Sequence, residues 1–339
     1  MKFLSAVKSK LNPEDAARNV FSLVADELAL VEEEYRRQVS SNIQVIDYLG
    51  DYLQSSGGKR VRPALLILAN YAIGGNQKNE NVIRLATVME MLHTATLVHD
   101  DIIDNADLRR NRPSVNSRFG NQTAVLMGDW LYMSAFETSL RERSLRILDI
   151  LTRLTRKMTE GELLQLTSLG SADITEDAYF DILRRKTAYL FSACCEIGAI
   201  LGGASTTAID ALRDYGLNLG IAFQLADDLL DFTSQASVLG KSAGTDLTEG
   251  KLTLPLILLR NKRPEVAEAL GTVMFDGNYD RISRDHLIEM LDRDSMIDGT
   301  RKRAEEYADA ARKNLDVLPE TEYREALGDL PAFVIERNR

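Results

Sequence analysis

Apolar residues along this chain recur at three- and four-residue intervals rather than alternately, the rhythm of amphipathic helices. Val20, Val24, Leu28, Val31 and Tyr35 keep that rhythm opposite a charged face. They follow Asn12-Pro13-Glu14-Asp15, which joins an N-cap, an N1 proline and first-turn acids. The same pattern predicts helices over 43–53, closed by Ser55-Ser56-Gly57-Gly58, and over 63–73, closed by Gly74-Gly75. From 82 to about 104, Leu85, Met89, Leu92 and Leu97 repeat it, and segments 122–140, 145–169, 176–201, 206–232 and 252–259 read alike. No proline lies between Pro113 and Pro255, and hairpin signals, fixed-period repeats and Pro- or Ser-rich linkers are absent from the sequence. The expectation is an all-α chain, a single domain over 1–339 with a large buried core. Several helices lack a clean polar stripe and should be covered on most sides.

Composition narrows the class. With 45% hydrophobic and 27% charged residues, collagen, a disulfide miniprotein and wholesale disorder are excluded. Fifty-one acidic and 41 basic residues give a net charge of −10, which argues against nucleic acid as a partner. Local basic clusters can still hold an anionic substrate. Cys194 and Cys195 are adjacent and cannot staple distant segments, so a reducing, cytoplasmic setting is expected. The most apolar stretches, 64–69 and 252–259, fall far short of the roughly 20 residues that cross a bilayer. Lys8 and Lys10 interrupt the apolar run at 3–7, so no signal peptide is expected.

Chemistry enters with two acidic clusters of one spacing. Asp100-Asp101-Ile102-Ile103-Asp104 and Asp227-Asp228-Leu229-Leu230-Asp231 both read Asp-Asp-x-x-Asp, each near the end of a predicted helix. Residues i and i+4 share a face about 6 Å apart along the axis. Exposed, such a pair costs a few tenths of a kcal/mol; partly buried, it costs about 3 kcal/mol at an effective dielectric near 20. Leu97, Val98, Phe223, Leu225 and Phe232 flank the clusters and argue for partial burial. Two such clusters point to bound cations, and oxygen-only ligands favour Mg²⁺ over zinc. Basic groups supply a complement: Gly57-Gly58-Lys59-Arg60-Val61-Arg62, Arg109-Arg110-Asn111-Arg112, Lys186, Lys241 and Lys251. Each alone reads as a solvated surface charge. Together with the acids they suggest a phosphate-bearing ligand held as a metal complex. Neither a Walker loop nor a Rossmann glycine fingerprint is present.

In these motifs the chain resembles the all-trans polyprenyl diphosphate synthases of the long-chain type. Leu97 to Asp104 with Arg109-Arg110 looks like that family's first aspartate-rich motif, and Gly220 to Asp231 like its second. Gly57 to Pro63, Gly128-Asp129-Trp130-Leu131, Glu160-Gly161-Glu162, Lys186-Thr187 and Asp246 to Leu256 match further blocks in order, as does Val334-Ile335-Glu336-Arg337. Two departures stand out: Asn111 where glycine usually follows the arginine pair, and Ser242-Ala243 in place of a step that usually contains proline.

The resemblance implies an isoprenoid-synthase bundle around a central cavity, acting as a homodimer. It implies that Asp100, Asp104 and Asp227 hold three Mg²⁺ ions on an allylic diphosphate such as farnesyl diphosphate, with Asp101, Asp228 and Asp231 in support. Arg109, Lys186 and Lys241 would hold that diphosphate, and Thr187, Gln224 and Lys251 would line its far side. Isopentenyl diphosphate would sit on Lys59, Arg62, His93 and Arg110. A product between C30 and C50, about C40 in the centre, follows by family analogy. Ala95 and Thr96, then Leu92 and Met89, together with Met158 on a neighbouring helix, would form the passage for its tail.

Four other readings compete with this one. His93 among Met89, Leu92 and Leu97 fits a satisfied core histidine. Glu90-x-x-His93 fits half of a di-iron bundle, but neither His99 nor His286 has a glutamate three residues before it. A class I terpene cyclase or a non-catalytic synthase subunit fits less well, because both aspartate-rich motifs and Lys59/Arg62 are retained.

Overall fold

The computed structural model describes residues 19–233 and 244–336. Its long helices are α1 (Ala25–Val39), α2 (Gln44–Gln54), α3 (Val61–Ala72), α4 (Glu80–Ile103), α5 (Asn121–Leu140), α6 (Leu145–Ser168), α7 (Glu176–Leu183), α8 (Tyr189–Leu201) and α9 (Thr206–Thr233). They continue with α10 (Leu254–Lys262), α11 (Ala267–Asp276), α12 (Arg284–Arg293), α13 (Met296–Asn314) and α14 (Glu322–Glu336). The all-α expectation holds, and the predicted segments between 43 and 259 match these helices closely.

Helix starts follow local chemistry. The Asn79 side chain caps α4 by accepting from the Asn81 N–H, and Ser144, Thr175 and Ser283 cap α6, α7 and α12 in the same way. Pro63 falls in the first turn of α3, where its missing N–H costs nothing.

Four corrections are local. The first predicted helix breaks in a turn at Leu23-Val24 before α1, and its expected cap at 12–15 lies outside the described residues. The segment 176–201 is interrupted by a π-helical turn, Arg184–Ala188, in which the Tyr189 N–H bonds the Arg184 carbonyl five residues back. A two-residue ribbon, β1 (Leu108–Arg109) with β2 (Arg112–Pro113), pairs antiparallel where no strand was expected. Its turn puts Arg110 and Asn111 at φ 53° and 61°. Asparagine tolerates this left-handed region better than most residues, which explains both the usual glycine there and its replacement. Finally, the sequence reading stopped short of α11 to α14, which fold back on the bundle.

Two apolar clusters make up the core. One is built on α3, α4, α5 and α8; the other gathers α7, α10, α11 and α12. Helix α9 runs through both, and it packs against α8 and α13. Its contact with the preceding segment is close because Gly216 and Gly220 lack side chains. A Cβ would lie 2.5 Å from the Phe191 carbonyl at Gly216 and 2.6 Å from the Ala188 Cα at Gly220. The second aspartate cluster is thereby held against the segment that carries Lys186 and Thr187.

Candidate active site

A cavity of about 640 Å³ opens between α4, α6, the π-helical turn and α9. Helix α4 lines it with His93, Thr96, Leu97, Asp100 and Ile103, one stripe at helical spacing. Lys186 and Thr187 enter from the π-helical turn, Gln224 and Asp228 from α9, and Asp246 and Lys251 from the segment before α10. Apolar wall comes from Met158, Leu163, Leu166, Leu169, Leu183 and Leu190.

Acidic groups crowd one end. Burial, then Glu162 and Asp104, push Asp100 up to about 7 against Lys186 and Arg109. Burial also raises Asp228 to about 6, opposed by hydrogen bonds from Tyr179 and Gln224. Asp246 is raised to about 8 by burial, then by Asp228 and Asp231. A chain of bonds orders this end: Thr187 Oγ1 donates to Gln224 Oε1 at 2.8 Å, and Gln224 Nε2 donates to Asp228 Oδ1 at 2.9 Å. Tyr179 donates to the other oxygen of Asp228. Buried carboxylates that repel one another, with oxygen donors only, suit a hard divalent cation. Among the described residues no three acids converge tightly enough to hold an ion alone. Mg²⁺ sites of that kind share their coordination with substrate phosphates and water.

The two Asp-Asp-x-x-Asp clusters divide their labour within each motif. Asp101 is 3% exposed and is taken up by Arg109, whose Nε lies 2.8 Å from its Oδ1. Asp231 accepts from the backbone N–H groups of Gly244, Thr245 and Asp246, so it anchors the returning chain. Asp104 lines a smaller adjoining hollow with Glu162, Glu249 and Lys251. Asp227 is half-buried and is not among the cavity walls, whereas Asp228 is.

The cations sort similarly. Lys186 pairs with Glu162 at 2.9 Å; Lys251 bridges Asp104 at 3.2 Å and Glu249 at 2.9 Å. Arg109, expected on the diphosphate, is turned toward Asp101. Lys241 lies outside the described residues. Arg62 also lines the cavity and stacks on Phe191 at 5.2 Å, with its buried Nε unpartnered. His93 beside it is driven well below its usual range by burial and by Arg62, Arg110, Arg109 and Arg60, so it is neutral. Lys59 is exposed on the loop that leads to Arg62. Thr96 and Met158 line the open cavity; Ala95, Leu92 and Met89 are fully buried and do not.

Sequence reasoning missed Asp246, Glu162 and Tyr179 as site residues. All three stood inside or near recognised blocks, but none has a spacing partner that announces it.

This geometry agrees with a match to the polyprenyl synthetase family model over residues 43–289. The chain belongs to the polyprenyl synthetase family. As a member it is an enzyme, a prenyltransferase. It is 41% identical over 318 residues to octaprenyl diphosphate synthase of Escherichia coli, covering 94% of this chain and 98% of that one. The crystal structure of a decaprenyl diphosphate synthase from Rhodobacter capsulatus superposes with a TM-score of 0.89 at 36% identity, covering 95% and 99% of the two chains. A polyprenyl synthase from Caulobacter crescentus, complexed with calcium and isoprenyl diphosphate, gives 0.88 at 36% identity, covering 95% and 98%.

Proposed function

We propose that this enzyme condenses an allylic diphosphate with successive isopentenyl diphosphates into a long all-trans polyprenyl diphosphate of about C40. The observation that carries the reading is one cavity lined together by carboxylates, lysines, leucines and a buried arginine whose Nε has no partner. Asp100, Asp104 and Asp227 would hold Mg²⁺, three ions on the family pattern, with Asp228 and Asp246 completing the acidic wall. Bound Mg²⁺ supplies positive charge to a leaving diphosphate. Lys186, Lys251, Arg109 and Lys241 add to that charge, so the allylic C–O bond ionises. Thr187 and Gln224 orient the far side. Arg62, Arg110, Lys59 and neutral His93 seat isopentenyl diphosphate with its double bond toward the allylic carbon. New C–C bond formation is followed by proton loss to the departing diphosphate, and the apolar wall keeps water from quenching the cation.

The whole chain acting as one domain is part of this proposal. A homodimer is too: Leu126, Met133 and Leu140 recur every seventh residue on α5, each at least half exposed, and Leu145 extends the stripe at 82%. The buried free thiols Cys194 and Cys195 fit a reducing compartment. No helix among the described residues is long and apolar enough to cross a membrane.

Purified protein with farnesyl diphosphate, radiolabelled isopentenyl diphosphate and Mg²⁺ tests the reading. Dephosphorylated products should form a ladder ending at about C40. A ladder ending at a short product, or no product, would overturn it.

A further inference from the structure

The loop before α3 turns on one residue in an uncommon conformation. Arg60 caps α3 at φ 48°, in the left-handed region that residues with a Cβ seldom occupy. Its side chain, 11% exposed, reaches back to two helices. Nη1 lies 2.6 Å from Glu90 Oε1 on α4, while Nε and Nη2 bond the Glu32 carboxylate on α1. Lys59 precedes this anchor and Arg62 follows two residues later.

Glu90 sits at the centre of this arrangement. It is 4% exposed and lies one turn before His93 on α4. Burial lowers both Arg62 and Arg110, and on each of them Glu90 is the strongest opposing influence. Neither arginine is spent on a carboxylate of its own. Arg62 stacks on Phe191 with Nε unpartnered; Arg110 lies against Gly58, where a Cβ would fall 2.7 Å from its Nη1. One buried acid therefore faces three arginines, and only Arg60 takes it up directly.

We propose that Glu90, acting through its buried pair with Arg60, is a positioning residue for the isopentenyl diphosphate site. It fixes the loop that presents Lys59 and Arg62 to a diphosphate. This inference rests on the assignment of Lys59, Arg62 and Arg110 to that substrate.

The experiment compares Glu90→Gln, Arg60→Gln and their combination with the unaltered enzyme. Calorimetry gives the Kd for isopentenyl diphosphate alone, and steady-state titration gives KM for each substrate. Each single variant should bind isopentenyl diphosphate roughly ten- to a hundredfold more weakly, since a loop displaced by about an ångström can cost that much. The KM for the allylic diphosphate should stay within about twofold. The double variant should be no worse than Arg60→Gln alone, because that change already removes the link to Glu90. Arg60→Lys, which keeps one ion pair, should fall between. A purely structural pair would shift melting temperature and lower all parameters together. Unaltered affinity for isopentenyl diphosphate, equal loss for both substrates, or additive losses in the double variant would overturn the proposal. Should Glu90→Gln not fold, Arg60→Gln and Arg60→Lys carry the same comparison. Lys59→Ala and Arg62→Ala serve as controls: if they leave the affinity unchanged, the site assignment itself fails. If they weaken it and Glu90→Gln does not, only the positioning role falls.

Discussion

Replacing Thr96 with phenylalanine should shorten the product without stopping the chemistry. Thr96 precedes Asp100 by four residues on α4, about 6 Å along the axis at 1.5 Å per residue, and it lines the open cavity. An extended carbon chain advances about 1.25 Å per C–C bond of about 1.5 Å, so one four-carbon isoprene repeat spans about 5 Å. A ring at position 96 therefore obstructs the tail within its first few repeats, long before eight are added. Without it, a tail of about eight repeats needs about 40 Å. That is close to the whole of α4, whose 24 residues span about 36 Å. Such a tail must pass Leu92 and Met89, which lie on the same face nearer the helix start. The ring would grow into open space rather than packed core, so the main cost to folding is the Thr96 Oγ1 bond to the His93 carbonyl at 2.7 Å, about 1 kcal/mol. Chromatography of dephosphorylated products should show a ladder stopping at about C15 to C20, with the first condensation slowed less than about threefold. An unchanged ladder from a folded, active Thr96→Phe enzyme would show that the tail leaves by another route.

Three further outcomes follow from the site. Asp100→Ala and Asp227→Ala should each lower turnover by about a thousandfold or more while circular dichroism stays unchanged, because the leaving charge loses its counter-ion. Asp246→Asn removes one of several buried, mutually repelling acids, so the metal-free protein should melt higher and Mg²⁺ should raise its melting temperature less than in the unaltered enzyme. Scanning fluorimetry measures both, and an undiminished Mg²⁺ effect would remove Asp246 from the ion's surroundings. Lys186→Ala should chiefly damage the allylic half-reaction and Lys59→Ala chiefly the affinity for isopentenyl diphosphate, which titration of each substrate separates.

Helix positions were legible because burial imposes a 3.6-residue rhythm on the sequence, and the acid clusters because helical spacing puts like charges on one face. What the spacing could not tell is which carboxylate of each cluster faces the cavity. Asp100 and Asp101 differ by one residue and about 100° of rotation; one lines the cavity and the other is tied to Arg109. Asp228 and Asp231 read alike, yet one is held by Tyr179 and Gln224 and the other by backbone N–H groups of the returning chain. Asp246 joins the acids from fifteen positions beyond Asp231, a tertiary approach with no local signature. Arg60 stands in the sequence as one of three adjoining cations, and two glutamates from distant helices claim it. The π-helical turn escaped notice for the same reason, since its apolar pattern is shifted by a single position.

That turn bears on which changes this enzyme can survive. A π-helical turn is an α-helix carrying one surplus residue, and the surplus falls among Arg184–Ala188, where Lys186 and Thr187 both enter the cavity. Deleting one residue there would let α7 and α8 fuse into a regular helix with better backbone bonding. It would also rotate everything upstream by about 100° relative to α8. Tyr179 would swing off Asp228, and the lysine would swing off Glu162 and the cavity. The shortened protein would have lost its chemistry, and Tyr179, Phe180 and Leu183 would be turned out of the core they now fill. Substitutions at the turn can be graded by size and charge, but a change of length there has no mild form.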